Sequence, residues 1–212
     1  MLAARVIPCL LLKNGGLVKT RRFSDPVYIG DPINAVKIFN DKEVDELVFL
    51  DITASLEKRA PSMGFINDIA SECFMPLAYG GGIKTVEQIK EILSIGVEKV
   101  VLNSVTFEDP DLINRASDRF GSQSIVVSID IKKNFWGKYE VCTHSGARKA
   151  KVSPIEHAQE VVNRGAGEIF LSSVDSDGMM GGYGIALVKM ISDAVSVPVI
   201  ACGGAGVIKD LG

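Results

Sequence analysis

Histidine is scarce in this chain: His144 and His157 are the only two among 212 residues. A metal centre built on imidazoles, or a Ser-His-Asp triad, has little material to draw on. The four cysteines (Cys9, Cys73, Cys142 and Cys202) are scattered, with no Cys-x-x-Cys pair. That spacing argues against a zinc site or a dithiol motif and suits reduced thiols in the cytoplasm. No apolar run is long enough to span a bilayer. Met1 to Leu12 places Arg5 ahead of an apolar stretch in the manner of a short signal peptide, but Pro8 interrupts it. No small-residue cleavage site follows, so the stretch reads as a first strand. An excess of positive charge is also missing: 23 Lys and Arg oppose 26 Asp and Glu, giving a net charge of −3. With both signs mixed along the length, neither a nucleic-acid nor a membrane partner is expected, and no metal or cofactor.

What the chain has in plenty is short apolar runs and glycine, 21 in all. Its length suits a single α/β domain over residues 1–212. Candidate strands are Arg5–Leu10, Glu46–Asp51, Pro76–Gly80, Lys99–Asn103, Ser124–Asp130, Glu168–Ser173 and Pro198–Cys202. Such near-continuous apolar runs fit strands buried on both faces, as in a parallel sheet. Helices lie between them. Thr85-Val-Glu-Gln88 has the pattern of a capping box, and Ser153-Pro154-Ile155-Glu156 joins a cap to a proline at the first helical position.

The segments also repeat. Asp31-Pro-Ile33 returns as Ser153-Pro-Ile155, Glu46–Leu50 as Glu168–Ser172, and Pro76–Gly82 as Pro198–Gly204, each pair 122 residues apart. Three matches in one register predict two half-barrel repeats, about 1–122 and 123–212, hence a (β/α)8-type barrel. Seven strands are visible and the eighth unit is missing, since the sequence stops at Gly212 where a seventh helix should begin. The expectation is a truncated chain.

In barrels of this class, function gathers at the C-terminal ends of the strands. Those ends carry Asp51, Gly80-Gly81-Gly82, Asn103-Ser104, Asp130, Ser172-Ser173 running into Asp175-Ser-Asp177-Gly178, and Gly203-Gly204. Any one of these would serve a turn; the recurrence of carboxylates, hydroxyls and glycines at one end points to a site. Glycine after a strand lets backbone N–H groups approach an anion, so the two repeat-related pairs predict a substrate with a phosphate at each end. At the opposite end, Arg5, Glu46, Lys99 and Glu168 each stand at the first residue of an apolar run. Buried charges are stable only when paired, and these four predict a ring of alternating sign across the N-terminal mouth.

Taken together, Leu47–Ser55, Gly80-Gly-Gly-Ile83, Asp118–Gln123, Asp175–Gly178 and Gly203-Gly-Ala-Gly206 resemble HisF, the cyclase subunit of imidazole glycerol phosphate synthase, over the whole chain. The resemblance implies a barrel that receives ammonia from a HisH-type glutaminase docked at the N-terminal mouth. It implies a ribulosyl bisphosphate substrate at the other face, with imidazole glycerol phosphate and an aminoimidazole carboxamide ribotide as products. It places Arg5, Glu46, Lys99 and Glu168 at the ammonia gate. It places Gly82, Asn103, Ser104, Gly178 and Gly204 at phosphate contacts, and adds Lys19, Asp51, Ser172 and Asp177 to the substrate-binding set. Of the family's two acid/base aspartates, Asp130 matches the second, but Leu11 stands in place of the first. Leucine cannot transfer a proton, and loss of one such group removes a factor of ~10²–10⁴ in rate. The stretch Leu10–Thr20 resembles more closely a HisF paralogue associated with amidation of glycosyl groups in surface-polysaccharide assembly. The expected function is therefore an ammonia-using synthase subunit serving sugar amidation, with an authentic histidine-pathway cyclase and a silent ammonia-conducting scaffold as alternatives.

Overall fold

A computed structural model describes residues 5–211; Met1–Ala4 of the signal-like stretch and Gly212 lie outside the described residues. The strands in chain order are β1 (Cys9–Lys13), β2 (Gly16–Arg21), β3 (Ser24–Gly30), β4 (Leu47–Asp51), β5 (Leu77–Gly80) and β6 (Lys99–Leu102). They continue as β7 (Ile125–Lys133), β8 (Tyr139–Thr143), β9 (Arg148–Lys149), β10 (Glu168–Ser173) and β11 (Val199–Cys202). The helices are α1 (Pro32–Asp41), α2 (Met63–Glu72), α3 (Val86–Ser94), α4 (Val105–Glu108), α5 (Asp111–Phe120), α6 (Pro154–Asn163) and α7 (Ile185–Ser192). Seven strands pair in parallel in the order β11-β10-β7-β6-β5-β4-β1, a curled sheet of the (β/α)-barrel kind wrapped by the helices. None of the described helices is long and apolar enough to cross a membrane.

The strand sequences dictate two cores. Because side chains alternate faces, Leu47, Phe49, Leu77, Tyr79, Val100, Leu102, Ile125, Val127, Ile169 and Leu171 point out toward the helices. Their neighbours Val48, Ala78, Val101, Val126 and Phe170 point inward and form a second, smaller cluster along the axis. This double burial is why the runs are apolar without alternation. The outer layer is completed by the buried faces of the helices, such as Ile89 and Ile92 of α3 and Leu112, Ile113 and Ala116 of α5. Each large aliphatic side chain so buried contributes roughly 1.5–3 kcal/mol relative to leaving it in water.

Helix starts follow the sequence closely. Thr85 and Gln88 form a reciprocal capping box at α3, as do Ser153 and Glu156 at α6. Asp31 caps α1 by accepting the Asn34 N–H at 3.0 Å, with Pro32 at the first helical position. The first strand is a correction. It begins at Cys9 rather than Arg5, because Pro8 has no N–H to donate, although its carbonyl accepts the Val48 N–H at 3.0 Å. Two excursions were not expected either: β1 turns back through Asn14-Gly15 into the β2–β3 hairpin, and β7 runs past the barrel rim to pair with β8.

Candidate functional site

The inward face of the strands changes character from one end to the other. Reading up each strand at every second residue gives Glu46–Val48–Leu50 on β4 and Lys99–Val101–Asn103 on β6. The same reading gives Val126–Ser128–Asp130 on β7 and Glu168–Phe170–Ser172 on β10. Charge lies at the N-terminal end, an apolar collar in the middle and polar groups at the C-terminal end.

At the N-terminal mouth the four charges meet. The Arg5 guanidinium donates to Glu46 at 3.1 Å and to Glu168 at 2.7 Å, and the Lys99 ammonium donates to the same two carboxylates at 2.8 and 2.9 Å. Each charge touches two of opposite sign, so the ring closes. Glu46 is 3% exposed and Glu168 9%, while the Arg5 side chain keeps 40% of its surface in water. The hydrogen bond to Glu168 is the main cause that raises the Arg5 pKa above its ordinary value.

Above the collar, the C-terminal ends enclose a cavity lined by Leu11, Thr20, Asp51, Gly81, Gly82, Asn103, Ser104, Ser128, Asp130, Ser172 and Asp177, with Cys9 and Cys202 deeper. Asp130 is buried, at 6% exposure. Its carboxylate accepts from the Asn103 amide at 2.9 Å and the Ser128 hydroxyl at 3.1 Å. These partners are neutral. Burial therefore dominates and pushes the Asp130 pKa up to about 6, against the pull of hydrogen bonds from Ser128, Asn103 and Ser172. A carboxylate poised there can both give and take a proton near neutrality.

The other carboxylates of the cavity are engaged. Asp51 accepts from Arg59 at 3.0 and 3.3 Å and from the Thr53 and Ala54 N–H groups at 3.1 Å, so it braces the loop after β4. Asp177 accepts the Thr20 hydroxyl at 2.6 Å and the Phe23 N–H at 3.3 Å, tying the loop after β10 to the β2–β3 hairpin. Gly81 and Gly82 take φ of +122° and +72°, where a β-carbon would lie 2.6 Å from the Asp51 carbonyl and 2.3 Å from that of Arg59. Only glycine fits there. Ser104 begins the short α4 turn beside them, and its hydroxyl accepts the His144 N–H at 3.1 Å.

Several expected residues lie elsewhere. Lys19 is exposed and outside the cavity lining, because β2 turns Thr20 inward and alternation turns Lys19 out. Gly178, Gly203 and Gly204 do not line the cavity either. Gly178 makes room for the Thr20 carbonyl and Gly203 for that of Ser173, while the Gly204 carbonyl accepts the Gly182 N–H at 2.8 Å.

Thr20, Ser128, Cys9 and Cys202 were not singled out from sequence. Alternation offers the signal for two of them, since Ser128 precedes Asp130 by two residues and Cys9 precedes Leu11 by two. The neighbouring Cys202 thiol, followed by burial, raises the Cys9 pKa well above the usual thiol range. Leu11 lines the cavity from β1, opposite Leu50 of β4. Neither histidine lines it: His157 stacks on Phe107 with ring centroids 4.2 Å apart, and burial lowers its pKa to about 4. Among the described residues no three His, Cys, Asp or Glu side chains gather as a metal would require.

A family described as "Histidine biosynthesis protein" matches residues 5–212. A Pseudomonas aeruginosa protein named "Putative imidazole glycerol phosphate synthase subunit hisF2" is 56% identical over 211 residues, covering 100% of this chain and 84% of its own. The "Imidazole glycerol phosphate synthase subunit HisF" of Alkaliphilus metalliredigens is 42% identical over 210 residues, covering 99% of this chain and 83% of its own. With a seven-stranded parallel curled sheet, a match across nearly every residue and such close relatives, the chain belongs to the histidine biosynthesis protein family.

Proposed function

We propose that this chain is the synthase-side barrel of an imidazole glycerol phosphate synthase-like enzyme that receives ammonia at its N-terminal mouth and uses it on a phosphorylated substrate at the opposite face. The observation that carries the reading is the order of layers along one set of inward-facing side chains: charged ring, apolar collar, polar cavity. Ammonia is neutral and crosses an apolar collar at little cost, whereas ammonium would lose its hydration without a partner. A HisH-type glutaminase docked against the ring would release ammonia where Lys99 bridges Glu46 and Glu168. In the cavity, Gly81-Gly82 and Asn103-Ser104 hold a phosphate end of the substrate, and Asp130 moves the proton between nitrogen and the reacting carbon skeleton. Asp51, Ser172 and Asp177 shape the pocket around it.

Leu11 directs the substrate assignment. With an alkyl group at the place of the first acid/base, the histidine-pathway bisphosphate is a poor substrate, and amidation of a surface sugar is the role we favour. Asp177 supports a second reading, because it brings another carboxylate to the same cavity as Asp130. In that case the chain is a cyclase of histidine synthesis with a relocated acid. Turnover of the imidazole ribulosyl bisphosphate under saturating ammonium salt separates the two. Negligible product formation is expected; a rate comparable with an ordinary cyclase would establish the second reading instead.

A further inference from the structure

The arm built from β7, β8 and β9 carries a surface that this chemistry does not use. Residues 132–151 hold six cations (Lys132, Lys133, Lys138, Arg148, Lys149 and Lys151) against a single carboxylate, Glu140, in a chain of net charge −3. The whole-chain charge hides this asymmetry. Among the described residues only Lys149 of the six has an ion-pair partner, Glu140.

At the tip of the arm stand Phe135, 94% exposed, and Trp136, 81% exposed. Isolated exposed apolar side chains are ordinary, but these two are adjacent and held in place. The Asn134 N–H donates to the Lys138 carbonyl at 2.9 Å, and the Gly137 N–H to the Asn134 carbonyl at 2.9 Å. The Asn134 side-chain oxygen accepts from the Trp136 and Lys138 N–H groups at 2.9 and 3.0 Å, and its amide donates to Glu140 at 2.7 Å. Gly137 supplies the positive φ, +76°, that closes the turn. The rings meet edge to face with centroids 5.5 Å apart. Lys133 pairs across the ladder with Tyr139, three residues beyond Asp130. The strand rise then carries the tip roughly 10 Å past the rim, on the side of the cavity mouth.

We propose that this arm docks the protein on an anionic lipid surface, with Phe135 and Trp136 in the headgroup layer and the lysines on lipid phosphates. Aromatic rings flanked by lysine are the composition that settles at a bilayer interface. A projecting convex tip fits a surface rather than a peptide or a splayed base, because the edge-to-face pair leaves no flat slot between the rings. Attraction of cations to an anionic leaflet is the complementary term, and it fades with salt.

Trp136 is the chain's only tryptophan, so its emission reports on the tip alone. The full-length protein is titrated at low salt with vesicles of phosphatidylcholine containing about 30% phosphatidylglycerol, a negative surface of the required kind. A blue shift, quenching by brominated acyl chains and co-sedimentation are expected, all reversed by high salt. Lys133→Glu with Lys138→Glu should weaken vesicle affinity by about tenfold or more. Phe135→Ser keeps the reporter and should reduce the quenching, while Asn134 preserves the turn and circular dichroism checks the fold. No shift and no sedimentation at low salt overturns the proposal, as does equal binding to pure phosphatidylcholine. A shift produced by single-stranded RNA or a sugar phosphate, but not by vesicles, overturns it in favour of those ligands.

Discussion

Two buried acidic sites sit at opposite ends of the same strands, and their neighbours make them different chemical objects. At the mouth, Glu46 and Glu168 each face two cations, Arg5 and Lys99. In the cavity, the hydrogen-bond partners of Asp130 are neutral, an amide and a hydroxyl. A carboxylate matched by full opposite charges acts as structure, costly to break. One matched by dipoles is under-compensated, and its proton affinity rises into the working pH range. The apolar collar of Val48, Ala78, Val101, Val126 and Phe170 keeps the two regimes apart.

The most severe way to break the comparison is Asp130→Asn. If Asp130 moves the proton, turnover with the natural acceptor should fall by ~10²–10⁴. Stability should move the other way. The Asp130 pKa of about 6 in the folded protein lies above its ordinary 3.8. The folded chain thus holds this proton more tightly than the unfolded one, and burying the ionised form costs stability that is fully felt above pH 6 and absent below about pH 4. The shift corresponds to roughly 3 kcal/mol. Urea midpoints at pH 8 should therefore show the asparagine variant more stable by up to that amount, with the advantage vanishing toward pH 4. Wild-type turnover should rise with pH through about 6 if the ionised form acts as base. A variant less stable than wild type at pH 8 would mean that Asp130 is not the strained group described here.

Lys99→Ala tests the opposite regime. Lys99 is the better shielded of the two cations, with 14% of its side chain exposed against 40% for Arg5. Its removal leaves Glu46 and Glu168 sharing Arg5 alone, and such a loss from a buried ion pair costs about 3–5 kcal/mol. The denaturant midpoint should fall accordingly. In complex with a glutaminase, more glutamate should be released per product formed if the ring meters ammonia along the axis. An unchanged midpoint with an unchanged ratio would reduce the ring to surface decoration.

Much of this is legible in the sequence. A charge at the start of a buried apolar run has few places to go, so Arg5, Glu46, Lys99 and Glu168 announce their ring by position alone. Asp130 is legible for a similar reason, as a carboxylate at the end of an apolar run. The sequence motif fixes where Lys19 lies but not which way β2 faces; Lys19 is exposed and Thr20 has the inward slot. Gly178, Gly203 and Gly204 each lie so close to backbone that a β-carbon would not fit, and a glycine after a strand serves such an approach as readily as an anion. That Cys9 and Cys202 line one cavity was beyond reach, since β1 and β11 are the two ends of the parallel run and no local spacing relates them. The Asn14-Gly15 turn, by contrast, was a hairpin signal in plain sight.

A smaller effect is expected from sharpening the cavity with Leu11→Asp. The new carboxylate would share the cavity with Asp130, and two like charges raise one another's pKa. The acid limb of the rate profile should move above about 6, and the variant should lose about 1–3 kcal/mol at neutral pH through burial of an under-paired group. With the imidazole ribulosyl bisphosphate and ammonium salt, turnover should increase by about tenfold or more if the rest of the site is intact. If both the rate and the limb stay where they are, position 11 is out of proton-transfer reach, and the substrate assignment built on Leu11 fails.

The smallest expected effect separates the two cations of the ring. Arg5 and Lys99 contact the same carboxylates at similar distances, so a reading by contact alone assigns them equal weight. Their exposure does not. Water already reaches 40% of the Arg5 side chain and can solvate the sides of Glu46 and Glu168 that Arg5 vacates, while Lys99 still bridges both. Arg5→Ala should then cost about 1 kcal/mol, the range of an exposed ion pair, and that cost should shrink further at high salt. The Lys99→Ala cost should persist in salt, because the group it strips is screened by protein rather than ions. Urea midpoints of both variants at low and high salt decide the matter. Equal losses with equal salt sensitivity would show that the ring is uniformly wet, and the mouth would then be no barrier to ammonium or water.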